Sequence, residues 1–163
     1  MASPKTLIGR VEKIHLPVLG VKYVPAKIDT GADFSAIWAS RLVEKADGLH
    51  VVFFGKSSSF YSGEAVVFAK NEYEQTIISN SFGHRQKRYK IKLKVKVKGR
   101  QIISGFTLAD RSQKLYPILL GRSILRGKFL VDVAKGSPMH LEEKDRKLEM
   151  IEELTLIGKA VKK

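Results

Sequence analysis

The feature that most restricts the fold is a strictly alternating stretch near the middle of the chain. Over residues 89–98, apolar or aromatic side chains occupy every second position, and five lysines occupy the positions between them. Successive side chains of a β-strand point to opposite faces, so this pattern predicts a strand with one buried face and one lysine-covered face. Gly99 then predicts a turn, and the apolar run at residues 101–108 predicts a returning strand. The chain must therefore bury one side of a hairpin against other elements.

Shorter apolar runs bounded by Gly, Pro and Ser indicate further strands. Ranges with this pattern are residues 7–28, 49–54, 65–69, 118–122 and 129–133, with a loop at 56–59 and one helical turn at 123–127. The interpretation is a mainly β domain, and 163 residues suffice for one such domain with its own core.

The C-terminal segment differs from the rest of the chain. Apolar residues recur there at three- and four-residue steps among charged residues: Leu148, Ile151, Leu154, Ile157 and Val161. This spacing predicts an amphipathic helix. The chain is accordingly divided into a β domain at residues 1–137 and a helical extension at 138–163. The apolar stripe is expected to cover the domain's own core, with a partner subunit or another protein as alternatives.

Composition argues against several kinds of site. The chain has no cysteine, so disulfides and sulfur-ligated zinc are excluded. It also has no His-Glu-x-x-His run and no glycine-rich loop ending in Gly-Lys-Ser/Thr, which argues against a metal site and against ATP binding. The histidines are scattered, at His15, His50, His84 and His140. No metal and no cofactor are expected.

The N-terminus and the charge balance bear on location and partners. Residues 1–6 lack the basic and apolar regions of a secretory signal, and every apolar run is interrupted by Lys or Arg, so we expect a soluble, cytoplasmic protein that does not bind a membrane. Thirty Lys and Arg against sixteen Asp and Glu give a net charge of +14, which favours acidic partners. The charge alone leaves open whether these are nucleic acids or acidic polypeptides, or whether the basic surface is simply solvated.

A candidate catalytic carboxylate follows the strand pattern that ends at Ile28. The run Asp29-Thr30-Gly31 places an acid just beyond a strand, where glycine lets the backbone turn sharply. Asp-x-Gly also makes ordinary turns, and these three residues alone indicate such a turn more strongly than a catalytic site.

A second motif about ninety residues downstream changes this interpretation. The apolar run at 118–120 leads into Gly121-Arg122 and a short helical pattern. Together with the run from Lys27 to Asp33, it resembles the signature of retropepsins, and the resemblance spans residues 7–133. It implies a closed acid-protease β-barrel with one short helix and the activity of an aspartic peptidase.

Within that superfamily the chain is most similar to a bacterial group commonly labelled putative ATP-dependent zinc proteases. Four blocks match in order: Ile8-Gly9-Arg10, Lys27 to Ala32 followed by Ser35-Ala36, Ser79 to His84 with Arg88, and Leu119 to Arg122. Phe82 departs from the pattern because it is inserted between Ser81 and Gly83, where many relatives place Asn-Gly directly. The group often accompanies ATP-grasp ligases that add glutamate tails, which implies an acidic peptide substrate.

The chemistry of an aspartic peptidase needs two carboxylates, one that takes a proton from water and one that donates a proton to the carbonyl oxygen. No other aspartate in the chain is followed by Thr-Gly or Ser-Gly: Asp33, Asp47, Asp110, Asp132 and Asp145 all lack it. The second carboxylate is therefore expected to be Asp29 of another subunit across a two-fold axis. Thr30 would brace the paired loops and Gly31 would let the backbone approach the substrate.

The resemblance also implies roles for further residues. Asp33 and Arg122 are expected to form an internal ion pair, with two independent solvated charges as the alternative. Residues 76–90 occupy the place of the retropepsin flap, a hairpin that closes over the substrate, although an ordinary basic hairpin fits the sequence equally well. The substrate-binding candidates are Ala32, Asn80, Ser81, His84, Arg85 and Arg88.

Two other functions remain open at this point. The lysines of residues 90–98, with Arg85, Lys87 and Arg88, fit a nucleic-acid-binding module that grips phosphates. The second alternative is a non-catalytic protein that keeps the retropepsin fold in order to bind a partner. Asp110, Asp132 and Trp38 have stronger structural explanations than functional ones.

Overall fold

The computed structural model describes residues 3–136 and 140–160. Within them the chain is mainly β, as predicted. The strands are β1 (Thr6–Ile8), β2 (Val11–Leu16), β3 (Val21–Ile28), β4 (Ser35–Lys45), β5 (Gly48–Phe53), β6 (Ala65–Phe68), β7 (Tyr73–Ser79), β8 (Arg85–Val97), β9 (Arg100–Ala109), β10 (Ile118–Leu120) and β11 (Phe129–Val131). The helices are α1 (Arg122–Leu125) and α2 (His140–Ala160), and a 3₁₀ turn spans Pro17–Leu19.

The main sheet closes on itself as a ring. Its strand order is β10-β3-β2-β8-β9-β4-β5-β6, β7 pairs with β8, and β10 also pairs with β4. The short strand β10 therefore joins both ends of a six-strand circuit, parallel to β3 on one side and antiparallel to β4 on the other. Its side chains Ile118 and Leu120 are fully buried inside the ring. This closure brings the segment after β3 next to the segment after β10.

The alternating stretch forms a strand with the predicted faces. Ile91, Leu93, Val95 and Val97 are each at most 1% exposed, whereas the lysines between them point outward. The β8–β9 turn consists of Lys98 and Gly99, which both have positive φ, as a two-residue hairpin turn of type I′ requires. β8 starts at Arg85, earlier than the alternation indicates, because its first part pairs with β7 instead of lying on the core.

The C-terminal helix forms as predicted, but the expectation that its apolar stripe covers the core is wrong for the described side chains. Leu148, Ile151, Leu154 and Ile157 are all more than half exposed. Val161 lies outside the described residues. No helix in the described ranges combines the length and apolar content needed to cross a membrane.

Candidate active site

The Asp29 carboxylate is held by its own loop at the end of β3. Oδ1 of Asp29 accepts hydrogen bonds from the backbone N–H groups of Gly31 (2.9 Å) and Ala32 (3.1 Å). The Asp29 N–H donates to the carbonyl oxygen of Leu120 on β10 (2.9 Å). The residue is half-buried. One carboxylate oxygen is thus fixed in place, and the side chain is oriented without being sealed from solvent.

The Gly121-Arg122 turn is hydrogen-bonded to the Asp29 loop. The N–H of Arg122 donates to the Ala32 carbonyl oxygen (2.8 Å), and the N–H of Ser123 donates to the backbone carbonyl oxygen of Asp33 (3.1 Å). The N–H of Gly121 donates to Oγ of the fully buried Ser35 (3.1 Å). The Asp-Thr-Gly loop and the Gly-Arg turn are therefore one hydrogen-bonded unit, which accounts for their occurrence together.

Asp33 and Arg122 form the expected contact, but on the surface of this chain. Arg122 Nη2 donates to Asp33 Oδ1, and the two side chains are 54% and 70% exposed, respectively. The pair therefore forms within one chain and lies at its surface. It ties α1 to the Asp29 loop beside a solvent-accessible cleft.

That cleft has a volume of about 800 Å³ and borders the Asp29 loop on the α1 side. Thr30 and the Asp33–Arg122 pair line it, together with the apolar side chains Phe34, Leu125, Phe129 and Val131. The Thr30 side chain is exposed and makes no hydrogen bond within the described ranges. An open apolar cleft therefore adjoins the candidate catalytic residue.

Residues 73–90 form the flap hairpin, composed of β7, the first part of β8 and the turn at 80–84. Asn80 builds the turn, because its Oδ1 accepts hydrogen bonds from the N–H groups of Phe82 (3.0 Å) and His84 (2.9 Å). Phe82 is 88% exposed at the tip, so the additional residue is accommodated without disturbing the strands. Ser81, His84 and Arg85 are exposed at the same tip. Oδ1 of Asn80 therefore holds the turn of the flap hairpin.

The base of the flap hairpin is fastened to β4 by a cluster of Glu44, Tyr73 and Tyr89. The phenol of Tyr73 donates to Glu44 Oε1 (2.6 Å) and that of Tyr89 donates to Oε2 (3.0 Å). The two rings meet edge to face at 5.8 Å. The hydrogen bond from Tyr73 is the largest cause of the lowered pKa of Glu44, and the same bond raises the pKa of Tyr73 to about 12.

We expect Glu44→Gln to bring the pKa of Tyr73 down towards the ordinary value near 10, because the neutral amide no longer stabilises the protonated phenol. In the wild type this hydrogen bond stabilises the fold below pH ~10 and is lost as the pH rises through about 12. An absorbance titration at 295 nm measures the change, with Tyr73→Phe identifying the signal. Unchanged titration of Tyr73 in Glu44→Gln would contradict the contact.

Arg111 is a site residue that sequence reasoning missed. It lies between β9 and β10, is half-buried, and donates from Nε to the Tyr116 carbonyl oxygen (3.0 Å). The pKa of Arg111 is lowered to about 10, first by burial and then by the positive charge of Arg88, while the Asp29 carboxylate acts in the opposite direction. Arg111 therefore sits within electrostatic reach of both the candidate catalytic residue and the flap hairpin.

Arg88 is the residue of the flap hairpin that lies within electrostatic reach of Arg111. It is half-buried, burial lowers its pKa, and its Nε and Nη2 both donate to Gln86 Oε1 (2.9 and 2.8 Å). Among the described residues neither Arg88 nor Arg111 takes part in an ion pair. Two partly desolvated cations that repel each other form a place where an anionic group is stabilised.

The described residues do not fit a metal centre. They contain no group of three or more His, Asp or Glu side chains close enough together to hold an ion. Asp110 has a structural role, since hydrogen bonds from Ser112 and then from the Trp38 side chain lower its pKa.

A family model described as "Retropepsin-like aspartic endopeptidase RimB" matches residues 7–138. The chain belongs to this family. The matched range includes the Asp29 loop, the flap hairpin and the Gly121-Arg122 turn, and it ends before α2. Family membership confirms the retropepsin resemblance.

A solved structure and two curated proteins are similar to this family member. The crystal structure of a Legionella pneumophila protein of unknown function aligns with a TM-score of 0.60 at 25% identity, over 81% of this chain and 96% of that one. A probable alpha-L-glutamate ligase from Shewanella pealeana is 31% identical over 138 residues, which is 83% of this chain and 30% of the ligase. A probable alpha-L-glutamate ligase from Desulfotalea psychrophila is 28% identical over 132 residues, which is 80% of this chain and 28% of that ligase. The chain thus spans less than a third of the length of these curated relatives.

Proposed function

We propose that this chain is one subunit of a homodimeric aspartic endopeptidase that cleaves acidic, glutamate-rich peptide segments. The observation that carries the proposal is the arrangement around Asp29. A half-buried carboxylate is oriented by two backbone N–H groups, half-buried Arg111 lies within its electrostatic reach, and half-buried Arg88 of the flap hairpin lies within reach of Arg111. The first feature suits hydrolysis and the second suits an acidic substrate.

Hydrolysis would take place between two Asp29 residues related by a two-fold axis. Two carboxylates in contact share one proton, so one is the base and the other is the acid. The ionised carboxylate takes a proton from water, the water oxygen attacks the peptide carbonyl carbon, and the protonated carboxyl gives its proton to the carbonyl oxygen. As the tetrahedral intermediate collapses, the C–N bond breaks and the nitrogen takes the proton that the first carboxylate removed from water. A hydroxyl of the intermediate gives its proton to the second carboxylate, which restores the pair. The Gly31 and Ala32 N–H groups keep Asp29 oriented throughout.

The surface beside the Asp29 loop supports a second subunit. Phe34 is 38% exposed next to Thr30, and on the neighbouring β1–β11 pair Leu7 and Leu130 are 46% and 53% exposed. Apolar surface of this kind is stabilised by a partner. A two-fold arrangement here would bring the two Thr30 hydroxyls and the two Asp29 carboxylates towards the same axis.

Arg88 and Arg111 support acidic specificity. A substrate carboxylate between them would relieve their mutual repulsion and accept charge-assisted hydrogen bonds from two guanidinium groups. The name of the ligase relatives agrees with this choice, since a region similar to this chain is part of longer proteins that are named for glutamate addition. We infer that the side chain bound at this position is glutamate or aspartate.

The decisive assay compares a glutamate-rich peptide with its glutamine counterpart across pH ~4 to 8. The wild type should cleave the glutamate peptide faster. Arg111→Gln should lower kcat/KM for that peptide by about 10- to 100-fold, the loss expected for one hydrogen bond to a charged group, and change the glutamine peptide little. Arg111→Lys keeps the positive charge but not the planar guanidinium group, so its kcat/KM for the glutamate peptide should lie between those of the wild type and Arg111→Gln.

Arg41→Gln is the matched control, because Arg41 is an exposed arginine on β4 away from the cleft. It removes the same charge and should leave both rates unchanged. Equal losses on both peptides in Arg111→Gln would contradict acidic specificity while leaving the peptidase assignment in place. Failure of the wild type to cleave any acidic or mixed peptide would contradict the assignment itself.

A further inference from the structure

A second cleft lies along β2, beside Tyr23 of β3 and the end of β8. It has a volume of about 600 Å³. We call it the basic cleft and define it by Lys13, His15, Tyr23, Lys96, Lys98 and Lys135. Tyr23 and Asp29 are six positions apart on an extended strand, which corresponds to roughly 20 Å. The part of the cleft around Tyr23, His15 and Lys96 is therefore distant from Asp29, whereas its other end reaches Val11, which pairs with Lys27.

The cleft carries an excess of positive charge. Glu12 is the carboxylate among its lining residues, and it is already engaged by the Gly9 N–H (2.8 Å) and by Lys98 (3.4 Å). Lys135 lies 3.8 Å from Asp132. Lys13 and Lys96 have no ion-pair partner among the described residues. Two exposed lysines are therefore available for a phosphate or a carboxylate.

The lysine row of β8 extends the basic cleft along the outer face of the sheet. Lys94 and Lys96 both point outward, two positions apart, which places their Cα atoms about 7 Å from each other. On the other side, Asp145, Glu149 and Glu153 of α2 line a neighbouring cleft together with Lys13 and Tyr23. An anionic chain is repelled by that side, so it would run from the basic cleft along β8.

Tyr23 makes the basic cleft more than a charged surface. It stands in a bulge where the β2–β3 register shifts, and its φ of 59° is in the left-handed region that bulky side chains rarely adopt. The ring is 64% exposed and meets His15 edge to face at 4.9 Å. Unfavourable backbone conformations of this kind persist when the surrounding structure enforces them, and they cluster at binding sites. Here the bulge presents an aromatic face beside lysines.

We propose that the basic cleft binds single-stranded nucleic acid, with Lys94 and Lys96 on phosphates and a base stacked on Tyr23. Exposed aromatic rings beside lysines are the combination that sequence-tolerant single-strand binding uses. An acidic polypeptide would use the lysines and leave the exposed ring without a partner. This binding function is independent of peptide hydrolysis, since it involves none of the residues around Asp29.

The test measures fluorescence anisotropy of a labelled single-stranded RNA of about 12 nucleotides, within the range of known single-strand sites, at several salt concentrations. Lys94→Gln/Lys96→Gln should weaken binding and reduce the salt slope by about 1.4, since each phosphate contact on a single strand contributes about 0.7. Lys56→Gln/Lys70→Gln is the matched control: both lysines are exposed elsewhere, and the net charge falls equally. This control should bind nearly as the wild type does.

Tyr23→Ala should weaken binding about ten-fold at every salt concentration without changing the salt slope, and Tyr23→Phe should restore it, because stacking needs the ring and not the phenol oxygen. Asp29→Asn should bind as the wild type does. Equal losses in the two double-lysine variants would overturn the proposal in favour of diffuse attraction. Undiminished binding in Tyr23→Ala, with poly-glutamate competing as well as RNA, would overturn it in favour of an acidic polypeptide.

Discussion

Replacing Asp29 with asparagine should lower the rate of peptide hydrolysis by about 1,000-fold or more, because loss of a positioned acid–base group typically costs 10²–10⁴ and the asparagine pair has no proton to share. The fold should be kept. An asparagine carbonyl oxygen can still accept the hydrogen bonds that Gly31 and Ala32 donate to Oδ1. Steady-state kinetics on a glutamate-rich peptide measures the rate, and thermal unfolding checks the fold.

Asp47→Asn is the control for removing one carboxylate, because Asp47 lies in the β4–β5 turn, where it contacts His50. Its activity should equal that of the wild type. Hydrolysis by Asp29→Asn at the wild-type rate would exclude Asp29 as the catalytic group.

Subunit mixing tests whether the two carboxylates come from two chains. Equal amounts of wild type and Asp29→Asn should lose activity after subunit exchange, from one half of the wild-type value to about one quarter, since only one dimer in four then carries two intact residues. Sedimentation of the wild type should show two subunits. Activity that stays at one half, or an active monomer, would contradict the shared site.

A strand with one face in solvent gives the clearest signal in the sequence. In β8 the period of two is visible because lysines alternate with buried Ile91, Leu93 and Val95. β4 gave no such signal, since its first five residues are all buried and both of its faces are covered there. A strand of this kind has no alternation to detect, and it was not predicted.

The candidate site divides in a similar way. Asp29 and the Gly121-Arg122 turn were found through motifs, because their backbones are bound to each other and so restrict the residue types. Arg111 belongs to no motif. It reaches the site only because ring closure brings the segment between β9 and β10 beside the Asp29 loop, which is a property of the topology. A residue whose role is to carry charge near a site leaves no local pattern.

For the C-terminal helix, periodicity identified the element but not what its apolar residues contact. The same spacing at Leu148, Ile151 and Leu154 is compatible with a core, a partner or solvent, and in this chain these side chains are exposed. Likewise, the resemblance identified Asp33 and Arg122 as partners, but the exposure of the two side chains in this chain follows from how much of the chain surrounds α1.

Gly121 is where the two motifs are closest, and adding a single methyl group there should be strongly destabilising. A Cβ at this position would lie 2.5 Å from the Phe34 carbonyl oxygen and 2.9 Å from that of Ala32. Both are backbone atoms, so no side-chain rotation relieves the clash, and the Asp29 loop has to move. We expect Gly121→Ala to lower the free energy of unfolding by about 3 kcal/mol, at the upper end of overpacking effects.

Urea unfolding of Gly121→Ala measures that loss, with Gly105→Ala as the control. A Cβ at Gly105 on β9 meets only the flexible Lys90 side chain, at 3.4 Å, so this variant should be as stable as the wild type or slightly more stable. The folded fraction of Gly121→Ala should also hydrolyse peptide poorly, since the displaced loop carries the N–H groups that orient Asp29. If Gly121→Ala were as stable and active as Gly105→Ala, the Gly-Arg turn would not position the Asp29 loop, and its pairing with Asp-Thr-Gly in the sequence would need another cause.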